Sequence, residues 1–371
     1  MKFTIDRSTL LRSLGHVQNV VERRNTIPIL SNVKIEANSS ELRLNATDMD
    51  IDVVETIPAE ISSDGATSVS AHILYDIIRK LPEGSQLEFD SSGEGQVILT
   101  SGRSQFTLPC LPVEDFPIIS GGNLEHSFSL NGGELRALID KTRFAISTEE
   151  TRYYLNGIYL HKAVNQDVNV LRSVSTDGHR LALGELDLPS GATNIPGVII
   201  PRKTVTEFRK LIDEHEDEIT IHLSSSKIKF EFGEVILTSK LIDGTFPDYE
   251  RVIPTGNDKE FEVESNLLAS AVDRVASISN EKSRAIKLSV NGSKLTLSAS
   301  SPGQGSAKEE LEIDYKNEDS EIGFNAVYLM DILRQIESEI VQVSFYDAAS
   351  PTILRGAEDP KTIFVLMPMR V

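Results

Sequence analysis

Two stretches of this chain carry side chains spaced as if for chemistry. Asp48-Met49-Asp50-Ile51-Asp52 sets three carboxylates at alternate positions, as a calcium-binding loop begins. Val53 then stands where that loop needs glycine, and Ala59 where it needs its bidentate glutamate. The run therefore reads as a strand whose three carboxylates line one exposed, solvated edge. Asp177-Gly178-His179-Arg180 joins an acid to an imidazole that titrates near neutrality. No nucleophile or second base accompanies it, and Thr176-Asp177-Gly178 suits a tight turn presenting His179 equally well. Cys110 ends the alternating run Phe106, Leu108, Cys110, which suggests a small buried hydrophobe on a strand able to pair at its edge with another chain. In Arg152-Tyr153-Tyr154-Leu155-Asn156-Gly157 the rings either stack on bases or pack in a turn. The motifs G-x-x-x-x-G-K-S/T, H-E-x-x-H, G-x-S-x-G and G-x-G-x-x-G are absent. What remains is a hydrolase or nuclease resting on His179 or the acidic run, a peptide-binding scaffold, or a protein that binds without chemistry.

The whole chain bounds these choices. It has 371 residues, 56 acidic against 37 basic, a formal charge of −19, one cysteine and no tryptophan. A hydrophobic share of 39% supports a packed core, and at about 100–200 residues per domain the length suggests two or three domains. A single cysteine excludes an internal disulfide and a cysteine-cluster zinc site. No apolar run approaches the ~18 residues of a membrane span, and Met1 to Arg7 lacks an apolar leader. A soluble, cytoplasmic protein is expected. Such acidity disfavours nucleic acid unless the charges are segregated.

The elements that must position these residues fall into three repeats. Val97-Ile98-Leu99-Thr100-Ser101 recurs at Val235 to Ser239, and each copy precedes a Phe-Pro pair, at Phe116-Pro117 and Phe246-Pro247. Phe3-Thr4-Ile5, Phe128-Ser129-Leu130 and Phe261-Glu262-Val263 alternate as strands do, and each leads into an amphipathic helix. Leu10, Leu14 and Val17 share a helical face, as do Leu135, Leu138 and Ile139, and Leu268, Ala271, Val272 and Val275. Asp6, Asn131 and Ser265 are the expected N-caps. Second helices follow Ser70, Pro201 and Asn325. Runs such as Leu42-Arg43-Leu44 and Leu295-Thr296-Leu297 read as antiparallel strands, with turns at Glu83-Gly84, Ser92-Gly93 and Asn291-Gly292. Turn-rich stretches at Ser120 to Asn123 and Pro254 to Asp258 separate the repeats. The fold class is α+β, three copies of one unit, with domains at 1–121, 126–253 and 259–371.

Charge follows the elements. The six helical windows (7–20, 71–81, 133–146, 201–212, 265–279 and 325–337) hold 13 Lys and Arg against 7 Asp and Glu, while the rest of the chain holds 24 against 49. Arg136 and Arg143, Arg202 and Arg209, and Lys203 and Lys210 lie two helical turns apart, each pair on one face. Arg23, Arg24, Lys282 and Arg284 add charge in adjacent loops. Basic helices within an acidic remainder suit a polyanion held by its backbone without sequence readout.

These residues, in this order, resemble the bacterial DNA sliding clamps, the beta subunits of DNA polymerase III. The likeness spans the chain. It runs through Met1-Lys2-Phe3-Thr4, Thr26-Ile27-Pro28-Ile29-Leu30, Ser101-Gly102-Arg103-Ser104, Arg152 to Gly157 and Thr176-Asp177-Gly178-His179-Arg180-Leu181. It continues in Ser239-Lys240-Leu241, Phe246-Pro247-Asp248-Tyr249, Ser279-Asn280-Glu281-Lys282, Ile322-Gly323-Phe324-Asn325 and Met367-Pro368-Met369-Arg370. The resemblance implies a non-catalytic processivity clamp without cofactor or metal. It would be a head-to-tail homodimeric ring, helices lining a hole through which double-stranded DNA passes. It also implies a pocket for short linear peptides of the replicative polymerase, clamp loader and repair proteins. The matching pocket positions are Arg152, Leu155, Thr176, Gly178, His179, Arg180, Leu181, Pro247, Arg251, Val252, Asn325, Tyr328, Val365, Met367, Pro368, Met369 and Arg370. DNA contacts would come from Arg24, Tyr153, Tyr154, Arg202 and Lys203, and the dimer interface from Phe106 and Leu108 against Ile278. Val371, Ser283, His72 and Gln105 depart from residues familiar in the family, the first two bearing on peptide preference, the last two on individual DNA or interface contacts.

Overall fold

The computed structural model describes residues 1–371 except 92, 94, 120, 121, 214, 281 and 282. The expected turn at Ser92-Gly93, the start of the first boundary and the loop charge of Lys282 fall at least partly outside the described residues.

Six α-helices occur among the described residues, two in each repeat. The first repeat runs β1 (Lys2–Asp6), α1 (Arg7–Gln18), β2 (Asn32–Asn38), β3 (Glu41–Thr47), β4 (Ile51–Pro58), β5 (Glu60–Ser63), β6 (Gly65–Ser70), α2 (Ala71–Lys80), β7 (Gln86–Asp90), β8 (Gln96–Ser101) and β9 (Ser104–Pro109). The second runs β10 (His126–Asn131), α3 (Gly132–Arg143), β11 (Gly157–Asn165), β12 (Val168–Thr176), β13 (Arg180–Asp187), β14 (Val198–Pro201), α4 (Arg202–Leu211), β15 (Glu218–Leu223), β16 (Lys227–Phe232) and β17 (Val235–Lys240). The third runs β18 (Lys259–Glu264), α5 (Ser265–Ala276), β19 (Ala285–Asn291), β20 (Lys294–Ser301), β21 (Gly305–Glu312), β22 (Ser320–Asn325), α6 (Ala326–Leu333), β23 (Ile340–Phe345), β24 (Thr352–Gly356) and β25 (Thr362–Leu366). Among the described residues, short β5 is the one strand without a counterpart in the other repeats.

The spacing of apolar residues places the helices. Leu10, Leu14 and Val17 of α1 are buried, as are Leu268, Ala271, Val272 and Val275 of α5. Asp6 caps α1, its carboxylate accepting from the amides of Ser8 at 2.8 Å and Thr9 at 3.2 Å. Asn131 does the same for α3, accepting from Gly133 at 2.9 Å and Glu134 at 3.2 Å. Ser265 is not a cap. It is the first residue of α5, and its hydroxyl donates to the Ser338 carbonyl at 2.8 Å.

Each repeat divides its strands between two sheets. One eight-stranded sheet has the order β10-β15-β16-β17-β4-β3-β2-β6, joining the last strands of repeat two to the middle strands of repeat one. A second, β14-β11-β12-β13-β25-β24-β23-β18, joins repeat two to repeat three in the same way. The joints are antiparallel ladders with Leu237 opposite Val53 in one and Leu183 opposite Ile363 in the other. Two half-sheets remain, β5-β1-β7-β8-β9 and β21-β20-β19-β22. The chain consequently separates into two compact units that cut through the middle repeat. One holds Met1–Arg136, Pro189–Pro196 and Lys203–Leu241; the other holds Ala137–Leu188, Gly197–Arg202 and Ile242–Val371.

The repeated Val-Ile-Leu-Thr-Ser pentapeptide does not mark equivalent strands. Its first copy lies in β8, the second strand after a helix, and its second copy in β17, the third. Both sites want an alternating, half-buried strand, and that shared demand accounts for the likeness.

The acidic run also differs from expectation. Asp48 precedes β4 and forms a turn, accepting from the amides of Asp50 at 2.9 Å and Ile51 at 2.7 Å. Asp50 is exposed and pairs with Lys240 at 3.0 Å. Asp52, on β4, is only 9% exposed, and the Asn45 side-chain amide donates to its carboxylate at 3.4 Å. Among the described residues no three His, Cys, Asp or Glu side chains gather as a metal would need. Cys110 is half-buried rather than fully buried, and the Thr67 hydroxyl donates to its sulfur at 3.1 Å. Burial pushes that thiol's pKa up, so it stays protonated near neutrality.

Burial likewise raises the Asp52 pKa from 3.8 to about 6, against the opposing pull of Asn45 and Arg43. The folded chain therefore holds this proton more tightly than the unfolded one. The charged carboxylate costs stability above about pH 6, and that cost fades as the pH falls toward 4. Two pKa units correspond to at most about 3 kcal/mol. Asp52→Asn should raise the urea midpoint at pH 7.5 and leave it nearly unchanged at pH 4. An equal shift at both values would contradict the linkage.

Candidate functional site

The second unit gathers most of the expected pocket positions around one hairpin turn. Thr176 to Arg180 joins β12 to β13, and its backbone is tied by its own side chains. The Asp177 carboxylate accepts from the amides of His179 at 2.9 Å and Arg180 at 3.0 Å. The Thr176 hydroxyl accepts from the Gly178 amide at 3.0 Å and donates to the Arg180 carbonyl at 2.7 Å. Gly178 has φ +89°, and a Cβ there would meet the Arg152 guanidinium at 2.7 Å. Of the two readings of the Asp177–His179 stretch, the structure shows the tight turn, with the His179 side chain exposed.

Arg180 is held on every side. Its Nε donates to Asp177 at 3.1 Å, Nη1 to Asp331 at 2.6 Å and Nη2 to the Phe144 carbonyl at 3.0 Å. The guanidinium carbon lies 4.5 Å from the Tyr328 ring centre and 5.1 Å from that of Phe144. A planar cation in such a cage orients its neighbours. Tyr328 in turn stacks on His179, with ring centres 5.8 Å apart. Asn325 caps α6, accepting from the amides of Val327 at 2.9 Å and Tyr328 at 3.4 Å.

Apolar residues floor the site. Leu155, Leu181 and Val365 are buried in one cluster with Val174, Leu183, Ile199, Phe246 and Tyr249. Pro247, Arg251 and Val252 are exposed and flank Tyr249 in sequence. Arg251 pairs with Asp248 at 2.6 Å, and Arg152 with Glu149 at 2.6 Å. The last residues close the arrangement. The Met367 amide donates to the His179 carbonyl at 2.9 Å, and the Met369 amide to that of Gly323 at 2.8 Å. Met367 is 41% exposed, a flexible apolar side chain at the rim. Arg370 stands apart from the turn. With Met369 and Val371 it borders a cavity of about 900 Å³ over the outer face of β19 to β22.

Two supports were missed in the sequence. Buried Arg172 donates to Glu185 at 2.7 Å and to both the Tyr249 hydroxyl and Glu250 at 2.8 Å. It thereby fixes the turn that carries Arg251 and Val252. Burial pushes the Tyr249 pKa up to about 12 against the opposing effect of Arg172, so its hydroxyl stays protonated. Arg172 and Glu185 lie opposite each other across the hairpin, a pairing readable once the turn at Gly178 is placed. Gly323 is the second. A Cβ there would collide with the Met369 carbonyl and the Val371 side chain. A glycine inside an apolar strand was the available signal, since it marks close backbone approach.

The positions expected at DNA are distributed between the two units. Arg24 is exposed in the loop after α1, and Lys203 is half-buried at the start of α4 in the same unit. Tyr153, Tyr154 and Arg202 belong to the other. Tyr153 is 52% exposed, while Tyr154 packs against the apolar floor. Among the interface positions, Phe106 on β9 and Ile278 after α5 are half-buried, whereas Leu108 is already buried within its own unit.

Three family models match in succession. They describe the N-terminal domain of the DNA polymerase III beta subunit at residues 1–120, its central domain at 129–248 and its C-terminal domain at 250–370. The chain belongs to this family. It is 50% identical over 372 residues to the beta sliding clamp of Caulobacter vibrioides strain NA1000, covering the whole of both chains. To that of Pseudomonas aeruginosa it is 40% identical over 374 residues, again in full. A crystal structure of the C. crescentus beta sliding clamp superposes with a TM-score of 0.98 at 50% identity, covering 100% of this chain and 99% of that one. A Bartonella birtlesii sliding clamp bound to griselimycin gives 0.97 at 48% identity, with both chains covered completely. The three α+β repeats are therefore clamp domains. Among the described residues no helix is long and apolar enough to cross a membrane.

If Gly323 exists to let the last residues lie flat on β22, Gly323→Ala should free them. Loss of the hydrogen bond from Met369 should speed exchange of that amide by about tenfold. Hydrogen exchange resolved at residues 367–371 provides the check, with unchanged protection counting against the role.

Proposed function

We propose that two copies of this chain close head to tail into a ring around double-stranded DNA. The ring slides without reading sequence and tethers the replicative polymerase, clamp loader and repair proteins by short linear peptides. The observation that carries this reading is the pair of joints between repeats. In both, the third strand after a repeat's second helix pairs with the third strand after the preceding repeat's first helix: β17 with β4, and β25 with β13. Continuing the rule leaves β9 and β21, each at the edge of a half-sheet. A second copy supplies the missing partner for each, and a head-to-tail contact that closes gives a ring. Phe106 and Leu108 lie on β9, and Ile278 belongs to the opposite surface of the same joint.

The domains of the ring would be 1–121, 126–253 and 259–371. Arg24, Tyr153, Tyr154 and Arg202 would meet the DNA backbone without reading bases, through contacts weak enough to let the ring slide. The role is mechanical, without cofactor, in the bacterial cytoplasm. The turn at Gly178, the floor of Leu155, Leu181 and Val365 and the rim of Met367 would receive the partner peptide.

Sedimentation at micromolar concentration should give a particle near twice 40.9 kDa, and Phe106→Asp should shift it toward the monomer. The dimer, once loaded, should leave a linear DNA and stay on a closed circle; equal retention on both would contradict encirclement. A fluorescent Gln-Leu-x-Leu-Phe peptide should bind the intact chain saturably and lose that binding when Met367 to Val371 are removed. Absence of binding by the intact, folded chain would withdraw the pocket assignment.

A further inference from the structure

The Lys203 side chain is 34% exposed, and its charge is paired within the chain. Its ammonium donates to the Asp48 carboxylate at 2.6 Å, to the Val20 carbonyl at 3.2 Å and to the Glu22 carboxylate. One cation facing two carboxylates leaves this spot with one net negative charge, which repels a phosphate. Asp48 is locked by its own turn, with its side chain only 11% exposed, so it forms the fixed end of the clasp. Glu22 and Val20 form the other end, at the root of the loop that carries Arg23 and Arg24.

The same loop is held from further directions. His72 of α2 lies with Nε2 3.0 Å from the Val21 carbonyl and Nδ1 2.9 Å from the Gln18 side chain. The Asn25 side-chain amide donates to the carbonyls of Glu22 at 3.0 Å and Leu30 at 3.2 Å. Val20 and Val21 are buried beneath it. Lys203 reaches the loop from the middle repeat, across 183 residues of sequence in its bond to Val20. Desolvation works against its charge, but the bonds to Asp48 and Glu22 outweigh it and raise its pKa above the ordinary lysine value. The clasp therefore persists throughout the neutral range.

We infer that Lys203 is a positioning residue: it straps the Glu22–Arg24 loop to α4 so that Arg23 and Arg24 meet DNA, and does not itself contact phosphate. The inference rests on the DNA-encircling reading above.

Glu22→Gln separates strap from contact, because it loosens the clasp while removing a negative charge and no positive one. The intact chain, checked for fold and dimer, is titrated with a short fluorescent duplex at several salt concentrations. Wild type should bind with a clear salt slope, and Arg24→Ala should flatten it. With a strap, Glu22→Gln weakens binding about two- to fivefold and flattens the slope by about one counterion. Hydrogen exchange of amides 19–25 then rises as well. Lys203→Gln gives a similar loss, and the double variant is no worse than either single one. Glu22→Gln binding as tightly as wild type or tighter, with its slope intact, would overturn the strap. Additive, opposite effects of the two substitutions would do the same and return Lys203 to direct contact. A wild-type titration insensitive to salt and to Arg24→Ala would instead remove the DNA reading, and this inference with it.

Discussion

Backbone pairing at the repeat joints is the constraint from which the rest of this structure follows. A strand at a sheet edge presents unmet amides and carbonyls, and each repeat carries such edges on both of its half-sheets. At β17–β4 and β25–β13 they are met by the neighbouring repeat, so that the middle repeat belongs to two sheets at once. Pairing every residue along the ladder fixes the register, and the register fixes which side chains face inward. Asp52 lies opposite Thr238 at one joint, and buried Leu183 opposite half-buried Ile363 at the other.

The proposed peptide site depends on the second joint. β13 begins at the Gly178 turn and pairs with β25, so the strand leading into Met367 is delivered beside His179 by the ladder itself. Arg180 then ties the turn to α6 through Asp331 and Tyr328. Much of the polar chemistry around this site is structural. The guanidiniums of Arg152, Arg180 and Arg251 are each paired with a carboxylate, and Pro247, Val252 and Met367 add exposed apolar surface. That division suits recognition of short, varied segments better than catalysis.

What was legible in the sequence was what local spacing controls. Apolar residues at helical intervals marked the helices, though α2 buries Ala71, Leu74 and Ile78 and leaves Ile73 exposed instead of burying an Ile73-Ile77-Leu81 face, and Asp6 and Asn131 announced their capping roles. Net charge by element pointed to a polyanion before any family likeness was considered. The rest depended on distant partners. Ser265 looked like a cap until Ser338 was beside it. The pairing of Lys203 was not readable because Glu22 and Asp48 are 181 and 155 residues away. Asp52 read as solvated because nothing local shows that β17 will cover it. The shared pentapeptide suggested an equivalence that only topology corrects, since two non-equivalent strands impose the same alternation. Family likeness supplied the pocket positions, but not the Arg172 network or the close approach at Gly323 that hold them in place.

The division of the middle repeat also governs how this architecture can be taken apart. Excised alone, that repeat would expose β17 at one end and β13 at the other, the two complementary faces of a single joint type. Copies of such a fragment would add to one another end on end, each offering the next what it lacks, as monomers add to a growing polymer. The number of units per turn would then be set by the angle built into one joint, and the intact chain differs from that polymer in fixing three units in sequence before an edge is left open.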